Sequence, residues 1–356
     1  MALVEDRDLL DRVEPEGKGE QEKAIHAYSS FYAIEDTPRR FSNRWAVVLA
    51  GGEGERLKPL TKVICGDERP KQFCPLFEDG QTLLGRTLQR LQLLVRPEQT
   101  LVSLTAHQRK WYEQEPDLAA EMRLVQPLNR GTAPPIAASL LSIAKIDEDA
   151  VVGIFPSDHY YADEPLFAAQ LETAFASAEV HSGVVLLGAQ PSSPEPGFGW
   201  IELGSSVEAK GELYRVHGFQ EKPAVKIAEK LMRRNSLWNT FVMVGRVGAF
   251  LEMLGAALPQ LTATLAHSAL WNGTETYIDR ARYDRIPASD FSRQVLSAEK
   301  NRLFVMRLGE VGWNDLGDPE RVIETISAMG LAPVWAMSWK RRIRIKSWHR
   351  GQIAIA

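Results

Sequence analysis

The chain has 356 residues, room for one large or two modest domains, and its 44% hydrophobic and 25% charged residues are those of a folded globular protein, which excludes global disorder. Forty-two Lys and Arg against 46 Asp and Glu give a net charge of −4, so no overall attraction to nucleic acid is available. No apolar run approaches the ~18 residues that span a bilayer, and Cys65 and Cys74 are too few for a disulfide framework; the chain reads as cytoplasmic and reduced, without a nucleic-acid or membrane partner.

Residues 1–43 form a charge-rich extension, expected to be partly disordered. The buried-strand run WAVVLA (Trp45–Ala50) then opens a domain placed at 44–335. Further strand-like runs follow in TLVSLT (Thr100–Thr105), VVGIFP (Val151–Pro156), GVVLLGA (Gly183–Ala189), GWIEL (Gly199–Leu203), LYRVHGFQE (Leu213–Glu221), TFVMVG (Thr240–Gly245) and FVMRL (Phe304–Leu308). Between them Leu83, Leu84, Leu88, Leu91 and Leu94 recur at helical spacing, as do Ile136, Leu140, Leu141 and Ala144. Alternation of strand and helix predicts an α/β fold with helices on both faces of the sheet. Loops around residues 183–221 are too short for crossover helices, so part of the sheet should be antiparallel. Residues 336–356 read as a basic tail or a short strand, with Arg342, Arg344 and Lys346 alternating with Ile343 and Ile345.

WAVVLA runs directly into GGEGERLKPLT, which puts Gly51, Gly52 and Gly54 at the C-terminal end of a strand, where ligands bind in open α/β sheets. Counting excludes two other phosphate loops: a dinucleotide fingerprint needs glycine where Leu57 stands, and a Walker loop from Gly51 needs one at Arg56. Arg56, Lys58, Lys62 and Lys71 concentrate cations near this turn, as a phosphate site requires and as a solvated surface also allows. Asp158 follows the strand VVGIFP and Asp315 follows FVMRL, positions from which two carboxylates can hold a hard cation such as Mg²⁺. Read from the residues alone, Asp158 serves equally as a helix N-cap and Asp315 as a turn residue. His159 reads as a structural hydrogen-bonder, because Mg²⁺ prefers oxygen. Thr132 precedes the helix of Ile136 and Leu140 and is expected to be its N-cap. Glu221–Lys222 before Pro223 is either a site pair or an exposed ion pair before a turn, and Gly199 either a close-approach glycine or a plain turn.

AGGEGERLKPLT followed by PKQF resembles the signature of the sugar-1-phosphate nucleotidyltransferases, and in particular of the mannose-1-phosphate guanylyltransferases. LNRGTAPPIAASL, PSDHYY, GFGWIE, FQEKP, LWNTFVM and GWNDLGD follow in that family's order, so the resemblance covers about residues 44–330. It implies a Rossmann-like three-layer α/β/α nucleotidyltransferase fold with a mixed, mostly parallel sheet, and formation of GDP-mannose and pyrophosphate from GTP and mannose 1-phosphate with Mg²⁺. Carried over residue by residue, it gives Arg56 to the leaving pyrophosphate, Lys71 to the triphosphate and Lys222 to the sugar phosphate. It sets Gly51, Gly52, Gly54, Asn129, Gly131 and Thr132 at the nucleotide, Gly199, Glu221 and Asn239 at the sugar, and Asp158 with Asp315 at the metal. After this asparagine the family often has Ser-Gly, whereas Thr240 and Phe241 stand here, which loosens the sugar assignment. Another nucleotide or hexose 1-phosphate is the alternative, and a non-catalytic sugar-nucleotide sensor a further one. Pro319–Ala356 follow GWNDLGD in this sequence, from which the isomerase-like domain of some relatives is not expected; the oligomeric state is left open.

Overall fold

The computed structural model describes residues 43–339 apart from Glu78, residues 208–211 and Gly273. The N-terminal extension and the alternating basic stretch after Trp339 lie outside the described residues. The strands are β1 (Arg44–Leu49), β2 (Thr100–Thr105), β3 (Arg123–Gln126), β4 (Val151–Pro156), β5 (Val184–Ala189), β6 (Gly199–Ser206), β7 (Leu213–Glu221), β8 (Leu237–Arg246), β9 (Ala269–Trp271), β10 (Thr276–Ile278) and β11 (Leu303–Leu308). They form one sheet in the order β5-β11-β7-β6-β8-β4-β1-β2-β3-β10-β9, with β5 also paired to β8. The main helices are α1 (Lys58–Cys65), α2 (Leu83–Leu91), α3 (Ala133–Ile146), α4 (Glu164–Val180), α5 (Val225–Arg233), α6 (Val247–Ala257), α7 (Pro259–Leu265) and α8 (Pro319–Ala328).

Alternation along β1 divides the core. Ala46, Val48 and Ala50 pack with Leu84, Leu88 and Leu91 of α2 and with Phe167, Leu171 and Phe175 of α4. Trp45 and Val47 face the other way, toward Ile136, Leu140 and Ile143 of α3 and Phe250, Met253 and Leu254 of α6. This is the expected three-layer arrangement. A third cluster joins Leu57, Leu60, Cys74, Leu76 and Leu83 to Leu316, Val322 and Ile326, tying α1 to α8.

The ladders β4-β1-β2-β3-β10 are parallel, and so is β11-β5. The pairings β4-β8, β5-β8, β6-β8, β6-β7, β7-β11 and β9-β10 are antiparallel, a larger share than a mostly parallel sheet implies. For β6-β7 and β9-β10 the physical reason is a short connection that returns the chain alongside itself; the other antiparallel ladders join strands distant in sequence. Register sets the site: Leu49 pairs with both Ser103 and Pro156, and Thr105 with Gln126, so β1 to β4 all deliver their C-terminal loops to one edge. Met243 pairs with Ile154, which carries the N-terminal half of β8 past the end of β4 to that edge.

Candidate active site

Three successive carbonyls of the glycine loop are held by side chains. The Gln72 amide donates to Ala50 O at 2.7 Å and to Gly52 O at 2.9 Å, and Gln108 also donates to Gly52 O at 3.0 Å. Gly51 O accepts from Thr105 Oγ1 at 3.0 Å and from Asn129 Nδ2 at 3.4 Å. In a trans peptide the C=O and the following N–H point in opposite directions, so tying these carbonyls to protein side chains turns the N–H groups of Gly51, Gly52 and Glu53 the other way. A Cβ on Gly51 would stand 2.8 Å from Thr105 Oγ1, and Gly54 has φ +61°, so both positions need glycine. Gly52 is exposed with nothing within 4 Å of a Cβ, so packing within the chain does not account for it.

The cations nearby differ in freedom. Lys58 pairs with Glu55 at 2.5 Å and Lys62 with Glu68 at 2.8 Å, whereas exposed Arg56 makes no hydrogen bond or ion pair among the described residues. Lys71 is buried and engaged: its ammonium donates to Asp315 O at 2.5 Å and Leu316 O at 3.2 Å, and lies 3.2 Å from Asp158 Oδ2. One cation thus links the two expected metal acids. Residues 160 and 314 add backbone hydrogen bonds of 2.9 and 3.0 Å that hold the two loops side by side.

Asp158 is not a helix N-cap; Asp163 caps α4 by accepting from Leu166 N. Asp315 does act within its own turn, where Oδ1 accepts from Gly317 N at 3.0 Å, and it also accepts from Arg321 Nη1 at 2.8 Å. Burial alone would raise the Asp315 carboxyl, but the His159 imidazole, once protonated in the acid range, and the Lys71 and Arg321 cations hold it below its ordinary range. Arg321 reaches Glu195 at 2.6 Å and lies over the Phe198 ring at 4.6 Å, joining the Asp315 turn to the segment before β6. His159 is a structural hydrogen-bonder as expected: burial pushes its pKa down to about 4, and its neutral Nδ1 accepts from Trp313 Nε1 at 3.1 Å.

On the other side of the cluster, Gly199 pairs with Glu221, and a Cβ at Gly199 would meet Glu221 Oε2 at 2.8 Å and Asn239 Cβ at 3.2 Å. These three residues converge as expected. Burial raises the Glu221 carboxyl pKa, partly offset by Lys222, whose ammonium lies 3.1 Å away and is 54% exposed. Lys222, Phe241 and Leu316 all have positive φ (50°, 63° and 48°), unusual for residues with a Cβ. Such strain gathers at sites that need a fixed backbone. Within β8, where its ladder with β5 shifts register, the Asn239 carboxamide oxygen accepts from Phe241 N at 3.1 Å, an Asx-type contact that holds this conformation.

Asn129, Gly131 and Thr132 lie together beside the glycine loop. Asn129 Oδ1 accepts from Gly131 N at 2.9 Å, and Gly131 (φ +87°) leaves no space for a Cβ against the Ser289 carbonyl. Thr132 occupies the N-cap position of α3 but makes no side-chain cap; its hydroxyl instead accepts from Phe291 N at 2.8 Å, because the 289–291 segment supplies a nearer donor. Residue patterns alone did not reveal Gln72, Thr105, Gln108, Arg321 or Trp313. Gln72 stands inside the PKQF motif and Trp313 inside GWNDLGD, which were the signals available; the others act across long sequence separations.

The donor chemistry fits a divalent cation shared with phosphate. No cluster of three or more His, Cys, Asp or Glu suited to a metal occurs among the described residues, so a protein-only cage is not built here. Two carboxylates with the remaining ligands from substrate oxygens and water is the arrangement Mg²⁺ takes with phosphates, and Asp158 and Asp315 are the two acids that would supply it.

The nucleotidyl transferase family matches residues 45–330. The chain belongs to this family. It is 31% identical over 289 residues to mannose-1-phosphate guanylyltransferase 2 of Escherichia coli, covering 76% of this chain and 58% of that protein. It is 30% identical over 277 residues to the alginate biosynthesis protein AlgA of Pseudomonas aeruginosa, covering 76% and 56%. The chain therefore spans less than three fifths of the length of these curated relatives. A solved structure from Thermus thermophilus, named mannose-1-phosphate geranyltransferase, superposes with a TM-score of 0.65 at 30% identity, covering 77% of this chain and 76% of that one. A UDP-glucose pyrophosphorylase in complex with UDP-glucose shares the fold at a TM-score of 0.51 and 13% identity, covering 80% and 98%. Among the described residues no helix is long and apolar enough to cross a membrane.

Proposed function

We propose that this site transfers a guanylyl group from GTP to mannose 1-phosphate and releases pyrophosphate. The observation that carries the reading is the glycine loop, whose carbonyls are held inward by Gln72, Gln108, Thr105 and Asn129 beside the unpaired cation Arg56. Outward amides and a free guanidinium are what a triphosphate requires. An oxygen of the sugar 1-phosphate forms a bond to the α-phosphorus as the bond to the pyrophosphate oxygen breaks. The nucleophile is already anionic, so no side chain need attack or remove a proton, and the protein's work is alignment and charge compensation.

Arg56 and the amides of the Gly51–Gly54 loop bind the triphosphate, Arg56 acting chiefly on charge developing on pyrophosphate. Asn129, Gly131 and Thr132 flank the nucleotide. Lys222 meets the sugar phosphate, while Glu221, Asn239 and the backbone at Gly199 receive sugar hydroxyls. Lys71 compensates Asp158 and fixes the Asp315 turn, a bridging role beside the triphosphate contact. Asp158 and Asp315 would hold Mg²⁺, which when bound offsets phosphate repulsion and stabilises leaving-group charge.

Guanine and mannose rest on the names of relatives that share about three tenths of the sequence. The Thr240–Phe241 pair favours a second reading in which another hexose 1-phosphate is the acceptor, because a ring replaces the small residue beside the sugar asparagine. Pyrophosphate release measured over a grid of nucleoside triphosphates and hexose 1-phosphates with Mg²⁺ tests the assignment. Preference for GTP with mannose 1-phosphate supports it. A tenfold preference for UTP or dTTP overturns the guanylyl assignment, and no release with any pair supports the sensor reading.

A further inference from the structure

Beside the glycine loop stands a pair of groups that the transfer reaction does not use. Cys65 ends α1 and Cys74 follows the Lys71–Gln72–Phe73 turn, and their sulfurs lie 3.2 Å apart as free thiols. Cys74 is fully buried in the cluster that joins α1 to α8, whereas Cys65 is only half-buried, so a dissolved reagent meets Cys65 first. The hydrogen bond from Cys74 and the Arg69 guanidinium hold the Cys65 thiol below its ordinary pKa, and the same contact together with burial pushes Cys74 up. An accessible, more acidic thiol backed by a buried one is the division of labour of an attacking and a resolving cysteine.

We propose that Cys65 and Cys74 form a reversible redox modification site, at which a low-molecular-weight disulfide such as glutathione disulfide converts the dithiol to an intrachain disulfide and thereby displaces the turn that ties down the glycine loop. The Cys65 thiolate attacks one sulfur of glutathione disulfide, breaking its S–S bond and releasing one glutathione thiolate. Cys74 then gives its proton to solvent and attacks the Cys65 sulfur, expelling the second glutathione. Two protein thiols are oxidised by two electrons and one glutathione disulfide is reduced to two thiols.

The geometry couples this bond to the loop. A disulfide needs sulfurs about 2.0 Å apart, so the pair must close by roughly 1 Å. On one side the strain falls on Cys74, whose backbone N–H donates to Lys71 O at 2.9 Å and whose neighbours Lys71 and Gln72 hold Asp158 and the carbonyls of Ala50 and Gly52. On the other it falls on α1, continuous with the turn from Gly54 to Leu57.

The full chain, equilibrated at graded ratios of oxidised to reduced glutathione, is read by intact mass and by hydrogen exchange over residues 50–57. The expected product has lost two hydrogen atoms and carries no glutathione, its loop amides exchange several-fold faster, and dithiothreitol reverses both changes. Cys74→Ala is expected to stop at a glutathione adduct on Cys65, and Cys65→Ser to remain unmodified. Failure of both thiols to react, persistence of the adduct with Cys74 present, or a disulfide that leaves loop exchange unchanged overturns the proposal. Neither readout depends on turnover, so its failure is separate from failure of the transferase reading.

Discussion

Replacing Gln72 with Met keeps the side-chain length and removes the donor that holds two loop carbonyls. Gln72 is 2% exposed, and Ala50 is buried, so Ala50 O loses a partner that water cannot replace. An unsatisfied buried acceptor costs about 1–3 kcal/mol. Gly52 O retains Gln108 and reaches solvent, adding at most about 0.5–1 kcal/mol. Met fills most of the vacated volume, so a cavity contributes little, whereas Gln72→Ala adds a further ~1–2 kcal/mol of lost packing. A total of about 1–4 kcal/mol for Gln72→Met lowers the melting temperature of a domain this size by roughly 2–6 °C. A loop free to rotate its peptide planes also presents fewer amides to the triphosphate, so kcat/KM for nucleotide is expected to fall by about tenfold or more, about 1.4 kcal/mol. Differential scanning calorimetry and initial rates read the two effects. If Gln72→Met matches the parent in both, the tied carbonyls do not organise the loop.

Asp158→Asn and Asp315→Asn are each expected to lower turnover by roughly 10²-fold, about 2.7 kcal/mol, and near-normal initial rates in both would remove these acids from the metal site. Arg56→Ala should reduce turnover at saturating substrates while Lys222→Ala chiefly raises KM for the sugar phosphate; identical defects would refute that division. Phe241→Gly and Phe241→Ala lose the same ring, but only Gly takes φ +63° freely, so the Gly variant is expected to be about 1 kcal/mol more stable by denaturant titration. Burial raises the Glu115 carboxyl pKa above its ordinary 4.5, so the folded chain binds the proton more readily and stability is lost as pH rises from there. Glu115→Gln, which still accepts from Thr82, is expected to be the more stable chain at pH 7 and to lose that advantage below pH 4.5, as read from melting curves.

Strands with long apolar runs were legible in the sequence because burial on both faces demands them, as in Trp45–Ala50 and Val151–Pro156. β3 was not, since four residues opening on Arg123 carry too little pattern, and β9 and β10 have three residues each. Short loops correctly signalled antiparallel pairing of β6 with β7, but not that β8 would pair with β4, β5 and β6 in turn. The family resemblance picked out Gly199, Glu221 and Asn239, which the register of β6, β7 and β8 brings together. Nothing in the chain order announced that Lys71 would bridge Asp158 and the Asp315 turn 244 residues away, or that Phe291 would claim the Thr132 hydroxyl. Such partners are chosen by packing of distant segments, and local pattern carries no record of them.

The most direct test of a nucleotidyl transfer made without a protein nucleophile is the stereochemistry at the α-phosphorus. Mannose 1-phosphate, Mg²⁺ and an α-thio-GTP of known configuration are incubated with the chain, and the sugar nucleotide formed is analysed by phosphorus NMR. A single in-line displacement predicts a thio-GDP-mannose of inverted configuration. Retention would reveal a nucleotidylated protein intermediate and contradict the mechanism, and absence of any sugar nucleotide would contradict the activity itself.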